Sequence, residues 1–373
     1  MIYETAMTDE YYMKRALQLA RRGERWVSPN PMVGAVIVKH NRIIGEGYHR
    51  RFGGDHAEIN ALRSASESVE GSTVYITLEP CCHHGKTPPC IESLIAGKPA
   101  RVVIGMSDPN PLVCGGGIER LGKSGIPTTV GVLEARCRRL NERFIRFMQT
   151  RIPFVTLKFA QTLDGRIATA AGHSRWISSP ASLKFAHALR AAHDAIVVGS
   201  GTIFKDDPEL TVRLVKGRNP VRIVVDTRLS LSADAAIFKN QDKAKTIVAT
   251  TEAADRKKRA RLDKMGIETI MVESDPQQRV DLGKLLIELG KRNISSLLVE
   301  GGAAMITSVL QQRLADRIVV VVAPKIVGTG IEAVGNLGIR VMDDALKISV
   351  RRVIRKGGDI ILDGQIQKKP GNS

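Results

Sequence analysis

The stretch LEPCCHHGKTPPC, Leu78 to Cys90, carries three cysteines, two histidines and three prolines. Such a density of thiol and imidazole leaves three choices: disulfides, a metal site, or ordinary packing. All five cysteines (81, 82, 90, 114 and 137) lie in the first 140 of 373 residues, and an odd number cannot pair completely within the chain. The N-terminus MIYETAMTDEYYMKRAL lacks the basic start and apolar core of a secretory signal. A reducing, cytoplasmic setting is therefore expected, where clustered cysteines read as metal or catalysis before disulfide. No apolar run approaches the ~20 residues of a membrane span, so no membrane partner is expected.

A zinc ion takes about four tetrahedral ligands, and a catalytic site leaves one position to water. HAEINAL, upstream of the cysteine stretch, offers His56 and Glu58 at the start of a helix, and EPCC…PPC offers Cys81 and Cys90 around a strand end and the next helix start. Thiolates suit helix N-termini, whose free N–H groups favour negative charge. Around this site the first half alternates strand and helix patterns. TDEYYMKRALQLARRG reads as an amphipathic helix that Thr8 can cap, with Gly23 after its end. MVGAVIVK and RIIGEGY read as strands joined by a turn at His40 and Asn41. A helix from about Asp55, the strand STVYITLE, a helix after Pro89, the strand ARVVIGM, a helix near 117–124 and the strand PTTVGVL complete an α/β sandwich with a mixed sheet.

His56-x-Glu58 followed by Pro80-Cys81 and Cys90 resembles the zinc-dependent nucleoside and base deaminase superfamily. In that family the His and two Cys bind zinc, and the Glu shuttles protons without being a ligand. The usual gap between the cysteines is two residues; here eight intervene. That gap, with NPMVGAVIV and DPNPLVCGGGI, resembles the deaminase of riboflavin biosynthesis across most of residues 9–150. The resemblance implies a cytidine-deaminase-like α/β/α sandwich over 1–150, with His56, Cys81 and Cys90 as zinc ligands and Glu58 as the catalytic residue. Its substrate would be a diaminopyrimidinone ribosylamine 5′-phosphate. By position, Asn30, His49, His83, Lys86, Asp108 and Asn110 resemble the substrate-contacting residues. Asn30 reads equally well as a pre-proline turn residue. His83 and His84 are open to substrate contact, surface exposure or extra ligation. Cys82 should point away from its neighbour Cys81, since adjacent side chains on extended backbone alternate. Cys114 and Cys137 read as ordinary thiols.

From FVTLKFAQTLDGRIAT onward a second α/β pattern begins, placing the seam near Arg151 and a second domain over 151–373. Its strands read as DAIVVGSG, VRIVVDT, AKTIVATT, ISSLLVEGG and RIVVVVAPK, and LKISVRRVIRKGGDIILDG reads as strand, Gly-Gly turn, strand. LLVEGGAAMITSVL runs strand, Gly-Gly, helix, a junction where backbone N–H groups can meet a phosphate. It is not the GxGxxG of dinucleotide folds, and neither is CGGGIERLG.

TLDGRIAT, SRWIS, DDPELTVR and VEGG resemble the C-terminal reductase of the bifunctional riboflavin enzyme, a domain similar in fold to dihydrofolate reductase. The resemblance covers roughly residues 153–365 and implies NADPH as hydride donor. Matching positions put Ala160, Trp176, Thr202, Asp206, Thr227, Gly302, Ala303, Ala304, Met305, Ile306, Thr307 and Ser308 around the cofactor. Lys158, Ser174, Arg190, Leu210, Arg213 and Glu300 fall on the substrate side. The alternatives are a core aromatic for Trp176 and surface charges for Arg190 and Arg213, although guanidinium suits bidentate phosphate recognition. Lys158, Glu300 and water are the candidate proton donors.

The net charge is +18, and residues 1–150 hold 20 Lys and Arg against 15 Asp and Glu, the remainder 36 against 23. Part of the excess sits in DRKKRARLDK (255–264), which at helical spacing reads as a solvated face: no aromatic is interleaved and no nucleic-acid module accompanies it. The expected partner is a small phosphorylated pyrimidine, with no nucleic acid, and the family resemblance suggests dimers or tetramers. The competing reading is a zinc-dependent nucleic-acid base deaminase with a basic C-terminal docking domain.

Overall fold

The computed structural model describes residues 8–82, 89–110 and 114–367, and the chain divides into two units between Arg151 and Ile152. The first unit runs α1 (Asp9–Ala20), β1 (Gly34–Lys39), β2 (Arg42–Tyr48), α2 (Ala57–Arg63), β3 (Thr73–Ile76), α3 (Cys90–Ala96), β4 (Arg101–Ile104), α4 (Gly116–Lys123), β5 (Thr128–Val130), α5 (Glu134–Leu140) and α6 (Glu142–Thr150). Its sheet has the order β2-β1-β3-β4-β5, with β1 antiparallel to both neighbours and β3, β4 and β5 parallel. The β1–β2 turn falls on His40 and Asn41, with φ of 49° and 58°, the left-handed pair a tight hairpin needs.

Strand alternation decides which side chains meet which helices. Val36, Val38, Tyr75 and Val103 face a core shared with Tyr12, Met13, Ala16 and Leu17 of α1. Ala35, Ile37, Val74, Ile76, Val102 and Ile104 face the other way, onto Ala57 and Ala61 of α2 and Ile91 and Leu94 of α3. Thr8 precedes α1 in extended conformation but its side chain makes no capping bond, and α1 runs on through a 3-10 turn to Gly23. Asn141, between α5 and α6, bonds both the N–H and the carbonyl of Met32, at 2.8 and 3.0 Å.

Gly47 fixes how close α2 lies to the sheet. A Cβ there would stand 2.2 Å from the Ala57 carbonyl oxygen and 2.3 Å from the Ala61 nitrogen. Both are helix backbone, which cannot give locally. Gly47→Ala is expected to destabilise the protein by about 1–3 kcal/mol and, because α2 follows His56 and carries Glu58, to weaken zinc retention. Chemical denaturation and metal analysis would check both.

The second unit runs β6 (Phe154–Thr162), β7 (Arg166–Thr169), α7 (Pro180–Ala192), β8 (Ala195–Gly199), α8 (Ser200–Asp206), β9 (Val221–Val225), β10 (Thr246–Thr250), α9 (Arg256–Lys264), β11 (Glu268–Met271), α10 (Leu282–Lys291), β12 (Ser296–Val299), α11 (Ala303–Gln311), β13 (Arg317–Ala323), β14 (Gly330–Glu332), β15 (Ile348–Lys356) and β16 (Asp359–Ile366). The nine-stranded sheet has the order β11-β10-β9-β8-β12-β6-β13-β16-β15, parallel as far as β13 and antiparallel after it. β7 and β14 pair separately. The continuous apolar runs of the sequence reflect burial on both faces: Ala195, Val197, Leu297 and Val299 face one core, and Ile196, Val198 and Leu298 the other. β11 and α10 have no counterpart among the sequence patterns above. The basic stretch forms α9, capped by the Asp255 carboxylate, with Leu262 its buried residue.

Candidate active sites

In the first unit three candidate ligands converge because three element ends do. His56 is the residue before α2, Cys90 opens α3, and Cys81 follows the extended backbone beyond β3. The Cys90 N–H donates to Cys81 Sγ at 3.3 Å and the Ile91 N–H to the Cys81 carbonyl at 3.3 Å, locking the two cysteines despite the eight residues between them. His56 Nδ1 lies 3.0 Å from Cys90 Sγ and 3.6 Å from Cys81 Sγ, and all three ligand atoms fall within 4.8 Å of one another. Ligands around tetrahedral zinc are separated by roughly 3.3–3.8 Å, given bonds of about 2.0–2.3 Å. The set fits.

Charge argues the same way. Glu58 is 4% exposed, and its Oε2 is buried with no hydrogen-bond partner among the described residues. Burial pushes the Glu58 carboxyl up to about 7. The hydrogen bond from Cys90, helped by His56, pulls the Cys81 thiol down against the opposing effect of burial, and the same bond with burial pushes Cys90 up. With no cation beside them, Glu58 and Cys90 are held towards their neutral forms; a divalent cation would compensate two thiolates and the carboxylate together.

His49 packs edge-on against His56, with ring centres 5.3 Å apart, and is 2% exposed. Its Nδ1 lies 3.0 Å from the Asp55 carbonyl and its Nε2 3.2 Å from Asn30 Nδ2, so Asn30 is a turn residue whose side chain also reaches this cluster. Asp108 and Asn110 stand on one turn, where Asp108 Oδ1 accepts from the Asn110 N–H at 2.8 Å. His83 and Lys86 lie outside the described residues. Cys82 points away from Cys81 towards α4, where a Cβ on Gly116 would stand 2.7 Å from its Sγ. Cys137 is fully buried, which raises its thiol to about 12. The glycine-rich start of α4 is occupied by the protein itself: the Glu79 carboxylate accepts from the N–H groups of Asp108, Gly115, Gly117 and Ile118 at 3.0–3.3 Å.

In the second unit the C-terminal ends of β6, β8 and β12, where open parallel sheets bind ligands, surround a cavity of about 390 Å³. Lys158, Ala160, Ser174, Thr202, Asp206, Glu300, Gly302, Ala303, Ala304 and Met305 line it. The starts of α8 and α11 both open onto it. Gly301 is required by close packing, since a Cβ there would meet Met305 Cβ at 2.4 Å. Lys205, Gly199 and Gly201 also line the cavity; they lie inside VGSGTIFKDDPELTVR, but nothing in their spacing distinguished them.

The remaining sequence candidates do not line the cavity. Ile306 is turned into the core and fully buried, because α11 presents that face to the sheet. Thr307 Oγ1 donates back to the Ala303 carbonyl at 2.7 Å, and Ser308 is the next residue along α11. Leu210 is a core residue with φ of 54°. Trp176 is 66% exposed, which removes the core alternative. The Thr227 carbonyl accepts from the hydroxyls of Thr250 and Thr251, both at 3.0 Å, beyond the end of β9.

Arg190 is not a surface charge. Its side chain is 15% exposed, and its Nη2 donates to Glu300 Oε2 at 2.7 Å while Nη1 donates to the Thr211 carbonyl at 3.3 Å. Burial works against the Glu300 carboxylate, but Arg190 and Lys158 outweigh it and hold the group at about 2. Enclosure by protein lowers Lys158, with Glu300 opposing. Arg213 is half exposed and bonds Glu209 and Thr211 through Nη1, at 2.8 and 2.7 Å.

No helix among the described residues is long and apolar enough to cross a membrane. A family model for the cytidine and deoxycytidylate deaminase zinc-binding region matches residues 6–106, and one for the RibD C-terminal domain matches residues 153–362. The riboflavin biosynthesis protein RibD of Aquifex aeolicus is 43% identical over 355 residues, covering 95% of this chain and 97% of that protein. RibD of Escherichia coli is 40% identical over 372 residues, covering 95% and 99%. Among solved structures, Acinetobacter baumannii RibD (form 1) superposes with a TM-score of 0.86 at 36% identity, covering 96% of this chain and 99% of that one. The Thermotoga maritima diaminohydroxyphosphoribosylaminopyrimidine deaminase/5-amino-6-(5-phosphoribosylamino)uracil reductase gives 0.84 at 39% identity, with the same coverage. With deaminase and reductase halves both matched along nearly its whole length, the chain belongs to the RibD family of bifunctional, zinc- and NADPH-dependent riboflavin biosynthesis enzymes.

Proposed function

We propose that the first half hydrolyses the amino group from a diaminopyrimidinone ribosylamine 5′-phosphate and that the second half reduces the product's ribosyl group to ribityl. The observation that carries the first step is the His56–Cys81–Cys90 cluster beside Glu58 Oε2, which has no partner among the described residues. Zinc held by those three residues would lower the pKa of water to about 7. Glu58 takes the water proton and returns protons to the ring nitrogen and the departing ammonia, as a buried carboxylate with one oxygen unbonded among the described residues can. His49 and Asn30 hold a polar edge of the ring next to His56, with Asp108, Asn110, His83 and Lys86 as further substrate contacts. In the second half bound NADPH would supply hydride. The cavity walls at Ala160, Ser174, Thr202, Asp206 and Gly302 to Met305 orient cofactor and sugar, and Lys158 and Glu300 are the groups that can hold or pass a proton there. This reading carries with it a cytoplasmic location, a homo-oligomer checked by light scattering, and no nucleic-acid partner.

The test follows ammonia release and NADPH oxidation separately on the diaminopyrimidine ribosyl phosphate. Both signals are expected, with NADPH loss requiring prior deamination; NADPH loss without ammonia would overturn the order. Stripping zinc with a chelator is expected to abolish ammonia release while pre-deaminated substrate is still reduced. Added zinc should restore the first activity.

A further inference from the structure

His187, in the middle of α7, has no part in the mechanism above, yet it is 7% exposed beside the cavity's charged floor. Its Nδ1 accepts the backbone N–H of Arg213 at 3.0 Å. Two further bonds hold the same short segment: Arg190 Nη1 donates to the Thr211 carbonyl at 3.3 Å, and Asn219 Oδ1 accepts from the Val212 N–H at 2.7 Å. Three consecutive residues are thus pinned from outside the segment. Two of the pins, His187 and Arg190, stand one turn apart on α7, and Arg190 also grips Glu300 at the cavity wall.

We infer that His187 is a positioning residue of the reductase, which together with Arg190 sets Thr211–Arg213 in register with Glu300 and so places the Arg213 guanidinium for the anionic end of the substrate. The inference rests on the reading of Arg213 as a substrate group. A buried imidazole accepting at Nδ1 must be neutral there, because the protonated ring has only donors. Its surroundings enforce that state. Burial first, then Arg190 and Arg213, push His187 down to about 4, with Glu300 opposing and Lys158 adding to the cations. Without the imidazole the peptide N–H of Arg213 loses this acceptor, and the segment one of its three pins.

The experiment is steady-state reduction of pre-deaminated substrate by the full chain. Loss of one buried acceptor corresponds to roughly a tenfold effect. His187→Ala is expected to raise KM for that substrate about tenfold, with kcat and the NADPH dissociation constant little changed. His187→Asn, whose Oδ1 can accept the Arg213 N–H, should recover most of the loss. Arg213→Ala, run in parallel, tests the underlying reading. An unchanged KM in Arg213→Ala overturns the assignment of Arg213, whereas a raised KM there with a wild-type value in His187→Ala overturns the role of His187 alone. Should His187→Ala fail to fold, acidification replaces it. Wild-type KM should rise as pH falls towards 4 more steeply than that of His187→Asn, which cannot titrate. Identical profiles would overturn the proposal.

Discussion

Glu58→Gln is expected to lower deamination by roughly 10²–10⁴-fold, the range general acid–base catalysis contributes, while zinc stays bound and pre-deaminated substrate is still reduced. The substitution keeps the shape of the side chain and the Oε1 acceptor, so α2 and His56 should not move. What it removes is the ability to take a proton from water and hand it on. The buried Oε2 has no partner among the described residues, so one oxygen of the carboxylate is left for the water and the substrate. Metal analysis separates this outcome from loss of the site: full zinc with lost ammonia release supports the role, and retained ammonia release would show that another group moves the proton. Cys90→Ser, by contrast, should lose zinc and ammonia release together.

The second large effect is expected at Glu300. Its side chain is 8% exposed and is the carboxylate between Arg190 and Lys158. Removing one partner of a buried ion pair costs about 3–5 kcal/mol, because the remaining charge has neither water nor counter-ion. In Glu300→Ala the buried Arg190 would lose its counter-ion, and Lys158 the group that opposes the loss of its proton. Denaturation of the second half at markedly lower urea is expected, with NADPH-dependent reduction lost and ammonia release kept. Glu300→Gln keeps the volume and one acceptor for Arg190, so it should retain more stability than the alanine variant yet still lose reduction. If Glu300→Ala were as stable as the wild type, the Arg190–Glu300 pair would not be the organising contact of the cavity floor.

Much of the architecture could be read from local patterns. The β2 segment RIIGEGY and the His40–Asn41 turn match because residues with φ > 0 and two-residue alternation are local requirements. The second sheet was legible as buried parallel strands because both faces of β8, β9, β10 and β12 meet cores, leaving uninterrupted apolar runs. β11, with four residues and one buried side chain, has too little pattern to stand out, since it owes its place to pairing with β10.

The sites divide along the same line. The candidate donors of the first site could be read from the sequence, where a His one residue from a Glu and cysteines flanking a proline-rich gap resemble the deaminase pattern, and the fold brings His56, Cys81 and Cys90 together. The sequence likewise determined that two α/β halves follow one another, because hydrophobic period and turn residues are local properties. Tertiary structure decided the rest. Only packing shows that Ile306 is core while Met305 lines the cavity, that Glu79 fills the start of α4, that Arg190 is an internal partner of Glu300, and that His187 holds Arg213 from 26 positions away. Each of these depends on which face of a helix meets the sheet and on contacts between residues far apart in the chain. Burial and electrostatic pairing are properties of the folded neighbourhood and not of any one residue.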